Sequence, residues 1–188
     1  HRQRDHPFLD GQPAGLPSKA ESYGGWEKSD VELRGHTIGH FLSASALMYA
    51  STGDARVKAK AEAIVAALAE CQKALGPSGY LSAFPESFFD RVESVRTVWA
   101  PYYTIHKIMA GLVDMAEYCG SRQALDVVEG MARWVKSRTD RSDRIHMERV
   151  LNFTEQGGMN ELPGMPLAVL PDPVEHDDRV VAAEPDDG

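Results

Sequence analysis

Residues 33–51 read LRGHTIGHFLSASALMYAS, and residues 99–118 read WAPYYTIHKIMAGLVDMAEY. Each is long enough for about five helical turns. Neither has a proline past its opening turn, and both are apolar or small on nearly every side. Helices of that kind are expected to be buried all round. A glycine follows each of them, Gly53 and Gly120, and then the pattern changes. Over 54–75, Val57, Ala61, Ile64, Val65 and Leu68 recur at helical spacing, while Arg56, Lys58, Lys60 and Glu62 take the opposite side. After Gly120, Leu125, Val128, Met131, Ala132 and Val135 form a second stripe, opposed by Arg122, Asp126, Glu129, Arg133 and Lys136.

The order is therefore buried, amphipathic, buried, amphipathic. His40 and His106 fall at matching places 66 residues apart, each with an alanine four residues on, Ala44 and Ala110. A two-helix period means stacked hairpins, because one hairpin cannot bury its inner helix alone. The pattern predicts an all-α fold, an α/α toroid or solenoid of inner and outer helices. A short helix near 142–153 and a third inner helix starting at Gly157-Gly158-Met159-Asn160-Glu161 would continue the series, leaving the toroid incomplete. Residues 1–31, punctuated by Pro7, Pro13, Pro17 and four glycines, read as an irregular N-terminal segment. The folded part is expected over 32–161. Residues 162–188 hold five of the eleven prolines and seven acidic residues against one basic, a composition that predicts a disordered tail.

The formal net charge of the 188 residues is −8. Most of that excess belongs to the tail, since residues 1–161 carry 21 acids and 19 bases. A nucleic-acid footprint needs clustered lysines and arginines, so that class of partner is not expected. No apolar run reaches the 18 or so residues of a membrane span. The two cysteines, Cys71 and Cys119, lack CxxC spacing and read as inert buried thiols.

Chemistry is expected near the starts of the two inner helices. His36 and His40, at i and i+4, share one helix face. They could receive hydroxyl groups, bind a metal, or sit as satisfied core histidines; a zincin helix would need Glu where Thr37 stands. His106 occupies the matching place on the second inner helix. Ahead of the first lies Tyr23-Gly24-Gly25-Trp26-Glu27, where Trp26 could stack on a sugar face and Glu27 could bind its hydroxyls, or the Trp could cover the core. Trp99-Ala100-Pro101-Tyr102-Tyr103 leads the second in the same way, with Pro101 suited to a first turn. Aromatic residues followed by a histidine, twice over, point to a carbohydrate cleft. Glu27, Glu32, Glu86, Glu155 and Glu161 are the carboxylates available for acid–base work.

Five blocks in order carry a resemblance: AGLPSKAESYGGWE, ELRGHTIGHFLSASALMYASTGD, LAECQKALGPSGYLSAFPESFFDR, VWAPYYTIHKIMAGL and GGMNE. Over about 14–161 the chain resembles glycoside hydrolase family 127, the β-L-arabinofuranosidase-like enzymes. The resemblance implies an (α/α)6 barrel that removes terminal β-L-arabinofuranose from plant glycans or glycoproteins with retention. It further implies a Glu acid/base and a zinc-bound cysteine thiolate as nucleophile, the zinc being held by further cysteines and a Glu. Carried over position by position, Trp26, His36, His40, Trp99, Tyr102, His106, Asn160 and Glu161 match the part that lines the sugar pocket. The acid/base, nucleophile and zinc ligands would fall beyond residue 188, so no catalytic or metal-binding residue is assigned to this chain. The run after Glu161 departs from the family's apolar, Tyr-containing continuation and reads as out of register. The expected partner is an arabinofuranoside-containing glycan, with self-association through exposed inner-helix surface. The alternatives are a non-catalytic helical-repeat module that binds glycan or protein, and a different α/α-toroid sugar enzyme such as an epimerase or unsaturated-uronide hydrolase.

Overall fold

Capping residues and glycines divide the helices in the computed structural model, which describes residues 23–153. A single 3-10 turn, Gly25–Glu27, precedes α1 (His36–Thr52), and α1 stops at Gly53, whose φ of +68° suits a residue without a Cβ. The Asp54 carboxylate accepts from Arg56 N at 2.9 Å and opens α2 (Ala55–Leu75). A long loop leads to the short α3 (Ser87–Glu93). Pro101 starts α4 (Pro101–Cys119), where its missing N–H costs nothing, and Gly120 at φ +67° ends it. Ser121 Oγ accepts from Ala124 N at the head of α5 (Arg122–Thr139), and α6 (Arg144–Phe153) follows. Among the described residues the structure is all helical, with no strand.

The two hairpins α1–α2 and α4–α5 stand side by side, with α1 against α4 inside and α2 against α5 outside. That is the arrangement of an α/α toroid built from inner and outer helices. The inner pair meets backbone to backbone. A Cβ on Gly39 would lie 1.9 Å from the Lys107 carbonyl oxygen, and one on Gly111 would lie 2.4 Å from the Gly39 carbonyl oxygen. Leu42, Ala46, Ala61, Val65, Ile105, Met109, Leu112, Met115, Val128 and Met131 fill the space between the four helices. The outer pair is tied by Gln72, whose Nε2 donates to Val127 O at 3.0 Å and to Gly79 O at 2.8 Å.

The 76–98 connection, for which the helical periods predict no element, is built on aromatic rings. Tyr80 and Phe89 lie 4.7 and 4.8 Å from Trp134, and the Tyr80 hydroxyl donates to the Phe84 carbonyl. Burial pushes the Tyr80 phenol well above its ordinary range. Arg138 of α5 reaches three carboxylates around α3: Glu93 at 2.5 Å, Glu86 at 3.3 Å, and Asp90. Before α4, Val95 and Ala100 hold φ of +53° and +45°, a strained region for side-chain-bearing residues.

Two expectations need correcting. The first inner helix is not buried all round: Thr37, His40, Ala44, Leu47, Met48 and Ser51 form an exposed face, because the Gly39 contact turns the opposite side of α1 onto α4. Burial all round holds far better for α4, which packs against α1, α2, α3 and α5. The buried stripe of α5 is also rotated, toward Ala124, Val127, Val128, Met131 and Trp134, leaving Leu125 and Val135 half-buried. The aromatic cluster under α3 draws Trp134 inward and sets that rotation. The tail, the third inner helix, and Glu155, Asn160 and Glu161 lie outside the described residues.

Candidate functional site

The start of α1 has no capping side chain of its own, since Gly35 occupies the cap position. Glu27, eight residues upstream, supplies what is missing. One carboxylate oxygen accepts from Gly35 N, and the other accepts from Thr37 N at 2.9 Å. The second oxygen also lies 3.1 Å from His36 Nδ1. A negative charge at a helix N-terminus is favourable in its own right. Burial raises the Glu27 carboxyl, but the hydrogen bonds from Thr37 and Gly35 and the nearby His36 outweigh it and leave the group below its usual value.

His36 is buried and becomes the centre of a ring cluster. Trp26 lies 6.1 Å away, His40 5.8 Å away edge-on, and Tyr103 of α4 6.1 Å away. Trp26 is 65% exposed and Tyr103 37% exposed, so the cluster has a solvent-facing aromatic rim. The Lys107 ammonium sits 5.1 Å from the Tyr103 ring centroid. Burial, and then the charge of Lys107, hold the His40 imidazole below its ordinary value, which favours the neutral ring. Imidazole nitrogens, exposed aromatic faces and a lysine are equipment for hydroxyl-bearing ligands.

The structure therefore brings Trp26, His36 and His40 together and adds Tyr103. Trp26 is too exposed to serve as a lid on the core. Trp99 is half-exposed beside the same end of α4, its backbone N–H held by Glu32 Oε2 at 2.8 Å. Tyr102 turns to the core, 4.8 Å from Phe89, and His106 is buried within α4. Tyr103 was concealed in the sequence because it adjoins Tyr102; its place one turn before Lys107 and His106 is the only signal that it faces α1.

Three candidate carboxylates have structural partners. Glu27 caps α1, Glu32 bonds Arg91 at 2.5 Å, and Glu86 bonds Arg138 and Trp134 Nε1. Of the two thiols expected to be buried, Cys119 is, and Cys71 is half-buried on α2. Burial raises both Cys71 and Cys119. Cys119 lies near Lys58 and Glu62 at the start of α2, whereas Cys71 is nine residues or more further along it, roughly 14 Å at 1.5 Å per residue.

A family model described as "Beta-L-arabinofuranosidase, GH127 catalytic domain" matches residues 4–163. No curated protein matches the chain.

Proposed function

The chain belongs to the GH127 β-L-arabinofuranosidase catalytic-domain family, and from that premise we propose that it binds a terminal β-L-arabinofuranosyl group at the Trp26, His36, His40 and Tyr103 cluster. A glycan is the substrate class of that family. The observation that carries the site is the cluster itself: His36, 6.1 Å from the rings of both Trp26 and Tyr103, with the His40 imidazole edge-on beside it, where the starts of α1 and α4 adjoin. Trp26 and Tyr103 offer flat apolar faces to the C–H side of a sugar ring, while the imidazoles take its hydroxyls. Trp99 and Asn160–Glu161 belong to the same proposed pocket by family resemblance.

Hydrolysis is assigned elsewhere. The zinc thiolate chemistry implied by the family does not fit Cys71 and Cys119: burial favours the protonated form of both, and Cys119, at the end of α4, lies by the first turns of α2, whereas Cys71 lies near the far end of α2, too distant to share an ion. Of the described carboxylates named above, Glu27, Glu32 and Glu86 are already hydrogen-bonded. The chain's own residues bind and orient the furanoside.

Calorimetric titration with methyl β-L-arabinofuranoside tests this reading, beside an assay on an aryl β-L-arabinofuranoside. Saturable binding is expected, weakened about tenfold or more by Trp26→Ala, which corresponds to about 1.4 kcal/mol. Absence of binding would overturn the proposed site, and turnover at enzyme-like rates would overturn the assignment of hydrolysis to other residues.

A further inference from the structure

Both atoms that face His36 Nδ1 are hydrogen-bond acceptors. The Leu33 carbonyl oxygen lies 2.9 Å away, and Glu27 Oε1 lies 3.1 Å away. A neutral imidazole carries one N–H, and its bare nitrogen set against two oxygens would be repelled by both. We propose that Glu27 is a positioning residue that, with the Leu33 carbonyl, holds the His36 proton on Nδ1, so that Nε2 presents a lone pair and accepts a hydroxyl hydrogen from the ligand.

Glu27 suits this part because it is itself immobilised. Its two oxygens meet three donors: Gly35 N, Thr37 N and His36 Nδ1–H. An ionised carboxylate is acceptor-only and satisfies all three, whereas an amide would set an NH2 group against at least one of them. The same contacts anchor the carboxylate to the first turn of α1, the helix that carries both His36 and His40. Helix cap and tautomer lock are one device. An acceptor at Nε2 selects for a ligand that donates, a free hydroxyl rather than an ether oxygen. This last step rests on the sugar-binding reading; the tautomer does not.

The test is long-range nitrogen–proton NMR correlation on the full chain at about pH 8, where an ordinary imidazole is neutral. His36 is expected to show a protonated Nδ1 and a bare Nε2. A predominant Nε2–H form would overturn the proposal outright, on the unsubstituted protein. In Glu27→Gln the Nε2–H fraction is expected to rise measurably. An unchanged tautomer ratio in a variant with native circular dichroism would show that Leu33 suffices and remove Glu27 from the role. Adding methyl β-L-arabinofuranoside should shift the Nε2 resonance. If the tautomer is as expected but the sugar moves nothing, the ligand assignment fails while the positioning role stands.

Discussion

At Gly39 two helix backbones touch, and a single methyl group decides whether they still can. Alanine is the better helix former by about 1 kcal/mol, but here its Cβ would lie 1.9 Å from Lys107 O and 2.6 Å from Ile108 N. Backbone atoms of a packed helix do not rotate aside, so the clash wins and α1 must move off α4. Gly39→Ala is expected to lower stability by about 1–3 kcal/mol in denaturant unfolding, whereas Gly24→Ala, with open space around its Cβ, should change it by less than about 0.5 kcal/mol. Equal effects at the two sites would refute the close crossing. Glu27 makes a second prediction at this scale. Its folded carboxyl is depressed below the ordinary 4.5, so its contribution is complete above that pH and fades as pH falls through the folded value. The stability gap between the native chain and Glu27→Gln should therefore narrow below about pH 4.5 in acid melts; a gap independent of pH would show that the charge has no part. The pairing of His36 with His40 was legible from i, i+4 spacing. Glu27 as their support was not, because a contact across eight residues of irregular chain leaves no periodic trace.

Among the elements, the four long helices follow directly from apolar period and glycine punctuation, since both act locally. α3 left no such signal: its seven residues, SFFDRVE, are too few to establish a period, and its stability comes from partners on α5. Phe89 packs on Trp134, and Arg138 holds Glu86, Asp90 and Glu93 together while its guanidinium lies over both of those rings. The burial of Arg138 disfavours its charge, yet its hydrogen bonds to Glu93 and Asp90 outweigh that and keep the guanidinium ionised. Arg138→Met removes the cation that bridges the three carboxylates. The loss is expected below the roughly 3–5 kcal/mol usual for breaking a buried pair, at about 2–3 kcal/mol, because Glu86 and Asp90 remain 44% and 59% exposed and can rehydrate. Arg138→Lys should recover less than half of it, as one ammonium cannot span the three partners. Thermal melts of both variants check this, and full recovery by lysine would mean that charge alone, rather than the planar fork, holds α3.

Across the molecule, the same asymmetry that hid α3 also sets the order of local stability. The inner-helix identity of α1 and α4 was readable from composition, but their different burial was not, because it depends on which neighbours surround each. α4 packs against α1, α2, α3 and α5, and eleven of its residues are buried. α1 has one face on α4 and another in water, while α6 is held chiefly by Val150 in a small satellite core and by His146, whose ring contacts Glu93 O at 2.6 Å. Helix hydrogen bonds open in cooperative units whose cost tracks the apolar contact that must be broken. Amide exchange should therefore run slowest in α4, reaching the global unfolding limit, intermediate in α1 and α5, and fastest in α6. The gap between α4 and α6 is expected to be about a hundredfold or more, corresponding to about 2.7 kcal/mol. Because Arg138 and Glu93 link α5, α3 and the His146 contact in sequence, Arg138→Met should accelerate α6 and α3 first and leave the Gly39–Gly111 crossing protected. Exchange that accelerates uniformly along the chain would instead mean that the two hairpins and their aromatic connection open as one unit, and that α3 is integral to the core between α1 and α4 rather than docked on its side.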